Sequence, residues 1–183
     1  MDSLEIQTGD GAETIYAFID SQNLNLSVLK DLENNHTGEI IYKGWKLDFG
    51  RFFVYLKDKF KVDKAFLFIG YVVGNESLYE YLENTGYKVI YKPTLNYGKE
   101  GHTKGNVDAE LVLHAMIEFP NYSKAIIVSG DGDYHCLIKF LEMQKKLFHI
   151  IIPNKLSYSY LLREFSKYFV FVTDLRTKLE YRK

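Results

Sequence analysis

The chain has 183 residues, with 23 Lys and Arg against 24 Asp and Glu, a net charge of −1, and 46% apolar and 16% aromatic content. This composition describes one packed domain with a full core and excludes a disordered chain. The balanced charge excludes an overall basic surface that would collect nucleic acid by bulk electrostatics. No apolar run approaches the roughly 18–20 residues that cross a bilayer, and the one cysteine, Cys136, allows no internal disulfide, so a reducing, cytoplasmic setting is expected.

Residues 1–13, MDSLEIQTGDGAE, are acidic and lack the apolar run of a signal peptide, and are read as an N-terminal extension. Short runs rich in Ile, Val, Phe and Tyr then predict strands at 14–19, 65–72, 87–91, 124–128, 147–152 and 168–172. Most lack polar alternation, as strands covered on both faces do. Helical patterns fall between them, at about 24–34, 46–60, 76–84, 107–119, 133–146 and 157–166. In the helix over 133–146, Cys136, Leu137, Phe140 and Leu141 form the predicted apolar stripe. Residues 36–45 read as a connector, 14–173 as one domain, and 174–183 as a polar C-terminal tail or short helix. Alternating strands and helices of this length predict an α/β fold: a three-layer α/β/α sandwich on an open, mainly parallel, Rossmann-like sheet.

Such sheets bind ligands beyond the carboxyl ends of their strands, where the winding direction switches. Asp20 ends the first strand (YAFID) and Asp131 follows the fourth (IIVSGD), so both belong at that rim if the two strands are neighbours. Asp133 opens the next helix, and Asp108 sits in the first turn of a helix starting near 107, with Asn106 as its N-cap. Each acid alone has an ordinary explanation: Asp133 as an N-cap, Asp131 as a turn former, Asp20 as a cap, Asp108 as a first-turn acid. Four on one side of a sheet would raise one another's pKa values and cost stability unless a cation sits among them. Oxygen ligands without clustered His or Cys point to Mg²⁺ or Mn²⁺. Asn23 could orient a phosphate or a metal-bound water, and Ser129 could bond within the site; turn or strand-end roles are the alternatives. The five histidines show no metal-ligand spacing.

The stretches FIDSQN (18–23), KGNVDAELVLHAM (104–116) and IIVSGDGDYHCLIKFL (126–141) together resemble the NYN domain, a PIN-like nuclease fold, in its bacterial LabA-like branch. IIPNKLSYSYLLREFSKYFVF is similar to that family's closing helix and strand, so the resemblance spans about residues 14–172. It implies a Mg²⁺- or Mn²⁺-dependent ribonuclease, with Asp20, Asp108, Asp131 and Asp133 as metal-binding and catalytic acids and Asn23 as the family's asparagine. Relatives often carry a further Asp six residues after the helix acid, where this chain has His114. The chemistry that fits is metal-assisted phosphodiester hydrolysis, with no protein nucleophile.

Segment 87–105 sets Lys88, Lys92, Lys99 and Lys104 among Tyr87, Tyr91 and Tyr97, with one acid, Glu100. Beside a nuclease site, its lysines are expected to neutralise phosphates while Tyr97 stacks on an unpaired base; alone it is an ordinary solvated edge. Few basic residues elsewhere imply modest affinity or RNA delivered by a partner protein, and a homodimer stays open. The competing function is a catalytically weak RNA-binding module on the same fold. A haloacid dehalogenase phosphatase needs a second Asp where Gln22 stands, and a Rossmann nucleotide binder needs a Gly-rich turn after the first strand, which is absent.

Overall fold

The computed structural model describes residues 13–92, 95–96, 103–104 and 107–182. Six strands form the sheet: β1 (Ile15–Asp20), β2 (Lys64–Gly70), β3 (Lys88–Lys92), β4 (Lys124–Val128), β5 (Leu147–Ile152) and β6 (Phe169–Phe171). Every pairing is parallel, in the order β3-β2-β1-β4-β5-β6. The chain therefore builds outward from β1 in one direction, returns, and builds outward in the other, which puts the switch point between β1 and β4. The expected neighbourhood of first and fourth strands is met: Ile19 pairs with Val128.

All six residues of β1 are buried, as expected of a central strand covered on both faces. Its even and odd positions feed two cores. Ala17 and Ile19 join Leu24 and Val28 of α1 (Ser21–Leu29), Phe52 and Leu56 of α2 (Phe49–Phe60) and Leu82 of α3 (Glu76–Thr85) on one face. Tyr16 and Phe18 join Leu111 and Ala115 of α4 (Val107–Ile117) and Leu137 and Leu141 of α5 (His135–Met143) on the other. Helices on both faces complete the three layers.

Several boundaries differ from the periodicity, each for a local reason. α1 starts at Ser21, directly after the strand, because the Asp20 carboxylate caps it by accepting from the Asn23 N–H at 2.9 Å. It stops at Leu29, and Leu32–Glu33, within the expected helix, pair antiparallel with Ile40–Tyr42 of the expected connector in a small ribbon. Tyr71 and Val72 leave β2, since the Val72 N–H donates to the Tyr79 hydroxyl at 2.7 Å. The run near 157–166 is a 3-10 segment over Tyr160–Tyr168. In α5 the buried stripe is Leu137, Ile138 and Leu141, and Cys136 is exposed, one position off the expected face. The tail forms a short helix, α6 (Arg176–Leu179), whose Leu179 enters the core.

Gly44 follows the ribbon and lies against the backbone at the end of α1; a β-carbon there would overlap the Leu29 carbonyl. The Gly44 N–H donates to Asp31 at 2.8 Å and the Trp45 N–H to the Val28 carbonyl at 3.1 Å, which pins this approach. Gly44→Ala is expected to destabilise by about 1–3 kcal/mol through overpacking, read as a drop in thermal midpoint of roughly 2–4 °C per kcal/mol for a chain of this size.

Candidate carboxylate site at the sheet switch point

Asp20 ends β1 in the middle of the sheet and is 5% exposed. One oxygen, Oδ1, caps α1; the other, Oδ2, lies 3.1 Å from the Tyr134 hydroxyl. That same hydroxyl donates to Asp108 Oδ1 at 2.7 Å. Tyr134 therefore stands between the two carboxylates, fully buried in a 3-10 turn (Gly132–Tyr134) that follows β4. A phenol carries one hydrogen, and the shorter contact assigns it to Asp108. Burial first, then the two neighbouring carboxylates, hold the Tyr134 proton far above the ordinary phenol range.

The loop after β4 is built to present acids. Gly130 donates its N–H to the Asn23 side-chain oxygen at 2.8 Å, which ties the loop to α1. Ser129, 1% exposed, accepts the Asp131 N–H at 3.1 Å. Asp131 caps the turn by accepting the Asp133 N–H on Oδ1 at 3.0 Å. Asp133, expected as the cap, instead leaves its carboxylate exposed. It shares with Asp108 an open depression of about 540 Å³ along Val112, Leu113 and Met116 of α4. Gly132 is glycine for space: a β-carbon there would run into Ser159 of the segment that folds back over the loop, whose N–H donates to the Gly130 carbonyl at 2.9 Å.

The acids interact pairwise. Burial, the largest cause, and the charges of Asp108 and Asp131 push the Asp20 carboxyl above its ordinary range, against the hydrogen bond from the Asn23 N–H and the nearby Tyr134 hydroxyl. Among the described residues none of the four carboxylates has a Lys, Arg or His ion-pair partner. Nor does any group of three acidic, imidazole or thiol side chains among them converge tightly enough to cage an ion. The donor set still fits Mg²⁺, which keeps several waters and is held by one or two carboxylates plus substrate phosphates.

The expected substrate residues are placed unevenly. Asn23 and Ser129 have their side-chain oxygens engaged in shaping the loop. Lys92 ends β3 on the carboxylate rim, beside Gly70 in register. Lys88 starts β3, so the parallel direction puts it at the opposite end, near Glu83, Lys64 and Glu118; the expectation that it meets the same phosphates is corrected. Tyr87 is buried, its hydroxyl donating to the Phe49 carbonyl at 2.8 Å, and Tyr91 donates to Glu83 at 2.7 Å. Tyr97, Lys99 and the Asn106 cap lie outside the described residues, as does the side chain of Lys104. His114 donates from Nδ1 to the Glu110 carbonyl at 3.0 Å and packs edge-on against Phe68. The residue that sequence reasoning missed is Tyr134. Its only signal was a tyrosine directly after GDGD.

A raised carboxyl pKa means that ionised Asp20 opposes folding. The unfolded carboxyl titrates near its ordinary 3.8, so stability from this group grows as pH falls through the raised folded value and is lost as pH rises through it. Asp20→Asn keeps an oxygen for the α1 cap and offers the Tyr134 oxygen an N–H. Without divalent cations, this variant is expected to melt higher than wild type at neutral pH. The gap should shrink as pH approaches the ordinary carboxylate range in a thermal-denaturation series.

The NYN domain model matches residues 14–174. A crystal structure of a protein of unknown function from Vibrio parahaemolyticus is similar at 21% identity and a TM-score of 0.69, over 98% of this chain and 99% of that one, a likeness of fold. No curated protein matches the chain. With its strand order, its acids at the switch point and a family match over nearly its whole length, the chain belongs to the NYN domain family and has its nuclease-like fold.

Proposed function

We propose that the protein is a Mg²⁺- or Mn²⁺-dependent ribonuclease that hydrolyses phosphodiester bonds of single-stranded RNA. The observation that carries this reading is the cluster of acids at the switch point, without cationic partners among the described residues and centred on Asp20 and Asp108 across Tyr134. Asp20 and Asp108 would hold the ion, with Asp131 and Asp133 at the rim; bound there, it supplies Lewis-acid stabilisation of phosphate charge and lowers the pKa of a water. Tyr134 fixes the Asp108 carboxylate by donating to it, and Asn23 fixes the height of the loop through Gly130. Asp131 spends one oxygen on its cap, which leaves the other to accept a hydrogen from the attacking water. Lys92 lies on the same rim to meet the flanking phosphate. No helix among the described residues is long and apolar enough to cross a membrane, and the exposed Cys136 thiol suits a reducing, cytoplasmic setting.

A second reading, an RNA-binding module with weak catalysis, draws on the lack of three converging ligands among the described residues and on His114 standing where relatives often have an acid. One experiment separates the two. Wild type is expected to cleave single-stranded RNA in Mg²⁺ or Mn²⁺ and to stop in EDTA. Asp131→Asn should lower the rate by about 100-fold or more, since loss of groups that only support metal ligands already costs 10–100-fold. Binding without metal-dependent cleavage supports the second reading; cleavage that ignores both EDTA and Asp131→Asn contradicts the first.

A further inference from the structure

On the other face of the sheet from Asp108, beyond the ends of β1 and β2, lies a second cavity of about 550 Å³. Its floor is Leu67 and Ile69 of β2, and Phe49 contributes an aromatic wall. Three side-chain amides, Gln22 and Asn25 from α1 and Asn75 before α3, face it, and none hydrogen-bonds to another described residue. Lys46 is the one charged residue among the described residues of its lining, and it is exposed. The size is that of a small-ligand pocket, and apolar walls with a few polar groups are the usual makeup of one.

The lining chemistry narrows the ligand. A cation would need carboxylates, and the described lining residues include none. A buried phosphate would need several positively charged donors, and Lys46 is the only one among the described lining residues. A flat, uncharged ring with donors and acceptors on its edge matches both the apolar floor and the free amides, which pair with base edges. Position narrows it further. Asp20 caps α1, and the next residues, Ser21 and Gln22, already line the cavity. A strand whose phosphate lies at Asp20 therefore has its neighbouring base within reach.

We propose that this cavity binds one unpaired nucleobase of the RNA strand, next to the phosphate held at the carboxylates. The inference rests on the ribonuclease reading for its substrate, but it can fail separately. Gln22, Asn25 and Asn75 read the base edge, Phe49 and the β2 residues cover its face, and Lys46 meets the phosphate beyond it.

The test uses the full-length, metal-free, ¹⁵N-labelled protein. Nucleoside 5′-monophosphates are expected to shift the side-chain amide signals of Gln22, Asn25 and Asn75 in a saturable way, whereas ribose 5-phosphate is not. Asn25→Ala, which removes an amide, and Leu78→Trp, which fills the mouth, should each weaken the nucleotide by roughly tenfold, within the range for one base contact. Equal shifts with ribose 5-phosphate, equal saturation by indole, or no saturable shift would each overturn the proposal. In Mg²⁺, wild type should cut an intact strand faster than one with a single abasic residue beside the cleaved bond, and Leu78→Trp should remove that preference. Cleavage indifferent to the abasic residue would overturn the pocket while leaving the ribonuclease standing. Amide shifts with mononucleotides but no cleavage would do the reverse.

Discussion

One hydroxyl joins the three chain segments that meet at the candidate site. Tyr134 contacts Asp20, 114 residues away, and Asp108, 26 residues away, and so links the end of β1, the start of α4 and the turn after β4. Hydrogen bonds to charged groups contribute about 1.5–3 kcal/mol, and a buried charge left without one costs at least as much. Here one hydrogen serves two carboxylates, and the 2.7 Å contact to Asp108 takes it. Asp20 is left with its helix cap and with burial that opposes its charge. The arrangement keeps the two acids at a fixed separation, and no cation among the described residues neutralises their mutual repulsion. That tension is what a divalent ion would relieve.

Around that point the fold distributes two surfaces. The depression beside Asp108 and Asp133 opens on the α4 face, and the amide-lined cavity opens on the α1 face, with Asp20 between them at the rim. A parallel sheet that switches direction produces this layout, because helices of the two halves fall on opposite faces while the strand ends share one edge. On the proposed function, a single strand of RNA crossing the edge would pass the carboxylates between the two.

Much of this was legible from residue order. Apolar runs without alternation locate β1 and β4, and strand direction puts Asp20 and Asp131 on one rim provided that the two strands are neighbours, a condition the pairing of Ile19 with Val128 meets. The cap assignment was not legible. Asp131 and Asp133 are equally good turn formers, and only the 3-10 turn beginning at Gly132 makes Asp131 the acceptor and frees Asp133. Tyr134 was invisible for a different reason: in a chain with 15 tyrosines, a buried one reads as core until the partners of its hydroxyl are known. Lys88 was misplaced by reading 87–105 as one patch, although strand direction alone separates Lys88 from Lys92 by four residues, about 13 Å. The cavity on the α1 face draws on four chain segments and has no local pattern to find.

The central claim is that the Tyr134 hydroxyl sets Asp20 and Asp108 for an ion. Mn²⁺ binding to wild type and to Tyr134→Phe, followed by titration calorimetry, tests it most directly, because the ring and its packing remain while the one hydrogen between the acids is removed. Affinity is expected to fall about 10- to 100-fold, the usual loss when a partner that orients metal ligands is deleted. Unchanged or tighter Mn²⁺ binding by the folded variant would contradict the account.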